Sequence, residues 1–197
     1  CHNPALIDPR DEGVFSWSDI TDLLCDRIGL LDGVVFSGGE PTMQRGLLPA
    51  LQVVRALGFK VGIHTGGAYP SLLAKALPFV DWVGLDIKAE RADYEKVTGR
   101  GPSGEHAWRS LELVLAHNLL RAGTKHPLTY EVRTTVHPSA IDDDGLIDLG
   151  CRLADAGVEC WAVQRFRDPG TRHPLPRVTE PAGRLRLDRL PADRFTS

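Results

Sequence analysis

Short runs of strand-forming residues alternate five times with longer helical stretches, and this alternation leaves few folds open. The runs cover residues 33–36, 59–65, 80–87, 128–136 and 158–166, each enriched in β-branched or aromatic residues. Helical spacing fills the gaps. Ser16 or Ser18 can cap a helix reaching Ile28, with Ile20, Leu23 and Leu24 on one face. Leucine and valine recur at helical spacing from Leu47 to Leu57, and Gly58 ends the repeat. Pro70 can open a short helix through Leu77. A helix over 103–121 is expected to bury Leu111, Val114, Leu115 and Leu119, and one over 141–156 stops at Gly157. Strands alternating with helices predict βαβ units and a parallel sheet, hence an α/β fold. A complete eight-stranded barrel takes about 250 residues, and this chain has 197. Five strands therefore predict a partial barrel or an open, doubly wound sheet.

In either architecture ligands bind at the carboxyl ends of the strands. Those ends read Ser37-Gly38-Gly39-Glu40-Pro41, His64-Thr65-Gly66-Gly67, Asp86-Ile87-Lys88, Val136-His137-Pro138 and Gln164-Arg165-Phe166. Each is polar or glycine-rich. The two glycines before Glu40 let backbone approach a ligand closely, or else simply make a tight βα turn. Asp86 and Lys88 share a side of the strand by the period of two, which suits a zwitterion, a bound cation or a plain surface ion pair.

Several classes are excluded or disfavoured. No apolar run reaches 18 residues, so no membrane-spanning helix is expected, and no signal peptide is evident. The formal charge of −3 gives no reason to expect nucleic-acid binding. Four cysteines do not make a disulfide scaffold, and Cys25, Cys151 and Cys160 are expected to be small buried residues. The phosphate-binding loop, dinucleotide fingerprint, H-E-x-x-H and G-x-S-x-G motifs are all absent. Charge is uneven: residues 165–194 hold eight arginines against four acids and five of the 14 prolines. We expect a barrel over 1–166 and a basic, proline-rich arm over 167–197 that reads as a solvated tail.

Cys1-His2-Asn3-Pro4 opens the chain, followed in order by the Gly-Gly-Glu-Pro, Thr-x-Gly and Asp-x-Lys strand ends. This series closely resembles the radical S-adenosylmethionine (SAM) enzymes of the glycyl-radical-activating type. Residues 130–136 and 164–166 look like the same group. The resemblance implies a partial (β/α)6 barrel whose first strand is missing from this chain. It implies a [4Fe–4S] cluster and SAM as cofactors, with Cys1 as the third cluster thiolate. Such clusters normally take four cysteines; the family supplies three and leaves one iron for SAM. One-electron reduction then yields a 5′-deoxyadenosyl radical, which takes a hydrogen atom from a glycine of the partner. By the same resemblance Ser37, Gly38, Gly39 and Glu40 hold the SAM amino group, and Thr65, Asp86 and Lys88 lie near its carboxylate or a cation. Arg133, His137 and Gln164 lie towards ribose and adenine.

The implied partner is a glycyl radical enzyme, anaerobic ribonucleotide reductase foremost. A flavodoxin or ferredoxin-type reductant and a reducing cytoplasm follow from the same chemistry. Three departures stand out. The first two cluster cysteines are not in the sequence, so we expect a truncated, inactive form of a longer enzyme. His64 replaces the Asp that relatives carry before this Thr, and Gly66 replaces a usual Asn. Two other readings are a radical SAM enzyme acting on a small molecule, and a cluster-less barrel that binds SAM or a partner without catalysis.

Overall fold

The computed structural model describes residues 13–99, 103–167 and 187–195. Five strands, β1 (Gly33–Phe36), β2 (Lys60–Thr65), β3 (Trp82–Asp86), β4 (Thr129–Val136) and β5 (Trp161–Arg165), form one sheet in chain order. All four neighbouring pairs are parallel. Parallel pairing needs a crossover between each two strands. Helices α2 (Leu47–Ala56), α3 (Pro70–Ala76), α4 (Tyr94–Thr98), α5 (Ser103–Arg121) and α6 (Asp143–Asp155) supply them, and α1 (Trp17–Cys25) precedes β1. The strand order never reverses. A doubly wound sheet reverses at its switch point, so the sheet is of the partial-barrel kind. Among the described residues no strand precedes Gly33.

The period of two divides the sheet into unlike faces. Val61, Ile63, Val83, Leu85, Ile87 and Val132 are fully buried on one face, against Leu51, Val54, Leu73, Leu111 and Leu149 of the helices. Burying each such side chain contributes roughly 1.5–3 kcal/mol. The other face carries His64, Trp82, Asp86, Glu131, Arg133 and Gln164, all at least partly exposed. In-register pairing aligns His64 with Gly84 and Glu131, and Asp86 with Arg133 and Ala162.

Several expectations need correction. Ser16, not Ser18, caps α1: its hydroxyl accepts from the Asp19 amide at 3.1 Å while Asp19 accepts from the Ser16 amide at 2.9 Å. The helix ends at Cys25 rather than Ile28, and Leu23 is 48% exposed while Leu24 is buried. Leu119 is also outside the core, at 78% exposure. On α5 the inward stripe runs Ala107, Leu111, Val114, Asn118 and Arg121, and Leu119 lies about 100° away from it. Two polar residues hold the inward positions because they cap carbonyls. Asn118 donates to Leu128 O at 2.7 Å, and Arg121 donates to Leu77 O at 3.1 Å and Val80 O at 2.6 Å.

α6 starts at Asp143, with Asp142 accepting from the Gly145 amide at 2.8 Å, and β5 starts at Trp161 rather than 158. None of the three described cysteines is buried: Cys25 is exposed, and Cys151 and Cys160 are half-buried. The described end of the arm, residues 187–195, is not a solvated tail. Phe195 stacks on Trp161 at 5.2 Å, Arg194 pairs with Asp155 at 2.7 Å and Arg189 with Asp144 at 3.3 Å.

Candidate functional site

Parallel pairing brings every strand's carboxyl end to one edge of the sheet, where the polar clusters gather. After β1, Gly38 and Gly39 have φ of +85° and +52°, which only glycine adopts without strain. The turn from Ser37 to Gly39 is exposed, so its backbone groups are open to a ligand. Glu40 then turns inward. Its Oε1 accepts from the Thr42 amide at 3.1 Å, the Thr42 hydroxyl at 2.5 Å and the Thr65 hydroxyl at 2.7 Å. Its Oε2 accepts from the Gly66 amide at 2.9 Å. Three donors converge on Oε1 and one reaches Oε2, so most of the carboxylate's roughly four lone-pair sites are engaged by the protein. Glu40 therefore joins the β1 and β2 ends. Thr65, 4% exposed, is equally engaged, since its oxygen also accepts from the Gly67 amide at 3.0 Å.

At the β3 end, Lys88 Nζ lies 2.8 Å from Asp86 Oδ2, with both side chains more than a third exposed. The pair is open to a zwitterion. Its backbone is held from several sides. The Lys88 amide donates to the Tyr94 hydroxyl at 3.0 Å, the Thr134 hydroxyl to Ile87 O at 2.7 Å, and the Trp108 indole to Ala89 O at 3.1 Å. Burial raises the Tyr94 phenol well above its ordinary pKa, so it stays protonated.

Arg133 occupies the middle of the exposed face. It is ion-paired with Glu131, lies 5.7 Å over the Trp82 ring, and has Nη1 3.0 Å from His64 Nδ1. An arginine only donates, so His64 Nδ1 accepts and the ring proton sits on Nε2. Burial, then the Arg133 charge, holds the His64 pKa below its ordinary value. His64 also meets Trp82 edge-on at 4.9 Å. Both rings lie over Gly84, where a Cβ would come within 2.5 Å of His64 Nδ1 and 2.7 Å of Trp82 Cη2. A cavity of about 760 Å³ opens at the opposite, amino ends of the strands, bounded by Gly33, Phe59, Lys60, Asp81, Trp82 and Thr129. It lies away from the polar rim.

The structure thus joins Glu40 with Thr65, Asp86 with Lys88, and Arg133 with His64. His137 keeps apart, with Nδ1 2.7 Å from Ser139 Oγ and its ring against Phe166, and Gln164 is exposed on the last strand. Cys1 lies outside the described residues. Among the described residues no three His, Cys, Asp or Glu side chains converge on a metal-sized site. Sequence reasoning missed Trp82, Glu131, Tyr94, Thr134 and Trp161. For Trp82 and Glu131 the signal was present: strand alternation puts them on the face of Asp86 and Arg133.

A family model for the Radical SAM superfamily matches residues 1–130. A Methanocaldococcus jannaschii protein described as a candidate glycyl-radical enzyme activating enzyme is 26% identical over 172 residues, covering 84% of this chain and 66% of its own. A domain of the pyruvate-formate lyase-activating enzyme of Bacteroides vulgatus superposes with TM-score 0.50 at 16% identity, covering 63% of this chain and 73% of its own. Streptococcus suis SuiB bound to S-adenosylmethionine superposes with TM-score 0.57 at 16% identity, covering 80% of this chain and 35% of its own. The chain thus spans just under two thirds of the first relative's length. Among the described residues no helix is long and apolar enough to cross a membrane.

Proposed function

Since the chain belongs to the radical SAM superfamily, whose cofactors are SAM and a [4Fe–4S] cluster, we propose that it forms the barrel of an activating enzyme for a glycyl radical protein. Anaerobic ribonucleotide reductase is the partner we assign. The match over 172 residues to a candidate glycyl-radical enzyme activating enzyme supports the activating-enzyme reading. The rim fits the amino-acid end of SAM. The exposed turn Ser37–Gly39 would offer backbone oxygens to an ammonium, and Lys88 beside Asp86 would meet a carboxylate. Glu40 and Thr65 act through the backbone they hold. Arg133, steadied by His64, Glu131 and Trp82, lies towards the nucleoside, with His137 and Gln164 further out. Cys1 would supply one cluster thiolate. When bound, the cofactors would supply one-electron chemistry for taking a hydrogen atom from a glycine of the partner, the electron coming from a flavodoxin- or ferredoxin-type donor.

The test uses protein isolated anaerobically from its source, mixed with SAM, dithionite and anaerobic ribonucleotide reductase. Methionine, 5′-deoxyadenosine and a glycyl-radical signal in electron paramagnetic resonance are the expected products. Cleavage of SAM without a protein radical would favour a small-molecule substrate. SAM binding without iron or cleavage would favour a non-catalytic barrel.

A further inference from the structure

We propose that Thr134 and Trp161 are positioning residues for the Asp86–Lys88 strand end, and that residues 187–195 hold Trp161 in place for that task. The proposal rests on the reading that this strand end binds SAM. Thr134 is fully buried. Its hydroxyl donates to Ile87 O at 2.7 Å, the carbonyl lying between Asp86 and Lys88. The Trp161 indole N–H donates to that same hydroxyl at 2.9 Å. An indole N–H can only donate, so the threonine hydrogen must point at the carbonyl. The relay therefore has one direction and one arrangement, and it fixes the plane of the peptide that leads into Lys88.

Trp161 is itself held from two sides. A Cβ on Gly150 of α6 would sit 2.7 Å from Trp161 Cζ3 and 3.2 Å from Pro191 Cδ, so helix, indole and C-terminal segment are in close contact. Phe195 packs on the indole with ring centroids 5.2 Å apart. The Arg194–Asp155 and Arg189–Asp144 pairs pin the segment to α6. A continuous chain of contacts thus runs from Phe195 through Trp161 and Thr134 to Ile87. A displacement of residues 187–195 would reach the β3 end by moving one hydrogen-bond donor.

The test compares Thr134→Val, Thr134→Ser, Trp161→Phe, Phe195→Ala and Asp86→Asn with the unaltered protein. Two quantities are read: amide hydrogen exchange over residues 86–89, and SAM affinity by equilibrium dialysis. Thr134→Val, Trp161→Phe and Phe195→Ala should speed exchange at 86–89 and weaken SAM binding by about 2- to 10-fold, the range of one hydrogen bond. Thr134→Ser should behave as the unaltered protein. Trp161→Phe keeps a ring on Phe195 and serves if Thr134→Val does not fold. Unchanged exchange in Thr134→Val and Trp161→Phe, or equal loss in Thr134→Ser, overturns the relay. Unchanged exchange in Phe195→Ala overturns the part given to residues 187–195. Asp86→Asn separates the two readings. If it weakens SAM binding while the relay variants do not, the relay fails and the rim stands. If it leaves SAM binding unchanged while the relay variants speed exchange, the rim reading fails and the relay survives.

Discussion

Glu40→Gln tests whether the Glu40 carboxylate is a brace between strands. The side chain keeps its shape, so only hydrogen-bond polarity changes. The carboxylate now accepts from four donors: the Thr42 amide and hydroxyl, the Thr65 hydroxyl and the Gly66 amide. A glutamine offers one oxygen and one NH2 group. With its oxygen towards the two threonines, its NH2 faces the Gly66 amide, formerly 2.9 Å from an acceptor. The Gly66 amide loses a charge-assisted acceptor, at about 1.5–3 kcal/mol, and the bonds from the two threonines fall from charge-assisted to neutral strength. Partial relaxation brings the expected loss to roughly 3 kcal/mol. For a chain of this size that lowers the melting temperature by about 6–12 °C, at 2–4 °C per kcal/mol. Urea unfolding followed by circular dichroism gives the first number and a thermal scan the second. Amide exchange should quicken at Gly66 and Gly67 before global unfolding. A destabilisation below about 0.5 kcal/mol, the size of an ordinary surface substitution, with unchanged exchange at Gly66, would refute the brace.

Two further predictions concern the exposed face of the sheet. Gly84→Ala places a Cβ 2.5 Å from His64 Nδ1 and 2.7 Å from Trp82 Cη2, so both rings must move, at a cost of about 1–3 kcal/mol. Urea unfolding should show that loss and native tryptophan emission should shift; unchanged stability and emission would mean the rings do not sit over Gly84. The His64 pKa is lowered below 6.5 in the folded protein, by burial first and the Arg133 charge second. Its contribution is fully present above the unfolded value and is lost as pH falls through the folded one, because the unfolded chain binds the proton first. Between about pH 5 and 7 the stability of His64→Gln should therefore fall less steeply than that of the unaltered protein. Parallel slopes in urea midpoints would remove His64 from the account.

The parts of this chain that were legible in its sequence are those set by local period. Strand runs alternate and helices repeat every 3.6 residues, so the βα order and the helix over Ser103–Arg121 could be read directly. Parallel order followed from that alternation, and with it the gathering of strand ends on one rim. Position along α5 was less legible, because hydrophobicity alone chose Leu119 where the fold uses Asn118 and Arg121 to cap distant carbonyls. Inward polar residues of that kind answer to carbonyls brought near only by the tertiary fold.

The same holds at the site. Glu40 and Thr65 stand 25 positions apart, and nothing local to either signals that one hydroxyl meets the other's carboxylate at 2.7 Å. Resemblance assigns Glu40 to the ligand, yet the structure engages both of its oxygens with the protein, Oε1 with three donors and Oε2 with one. The two statements agree if the motif works through its backbone. A carboxylate held by four donors ties the chain just after Ser37, Gly38 and Gly39 to the end of β2, and so anchors that turn at its far side. Binding and stability at this turn should accordingly fall together in Glu40→Gln, whereas a direct ligand contact would let binding fail in a fully stable protein.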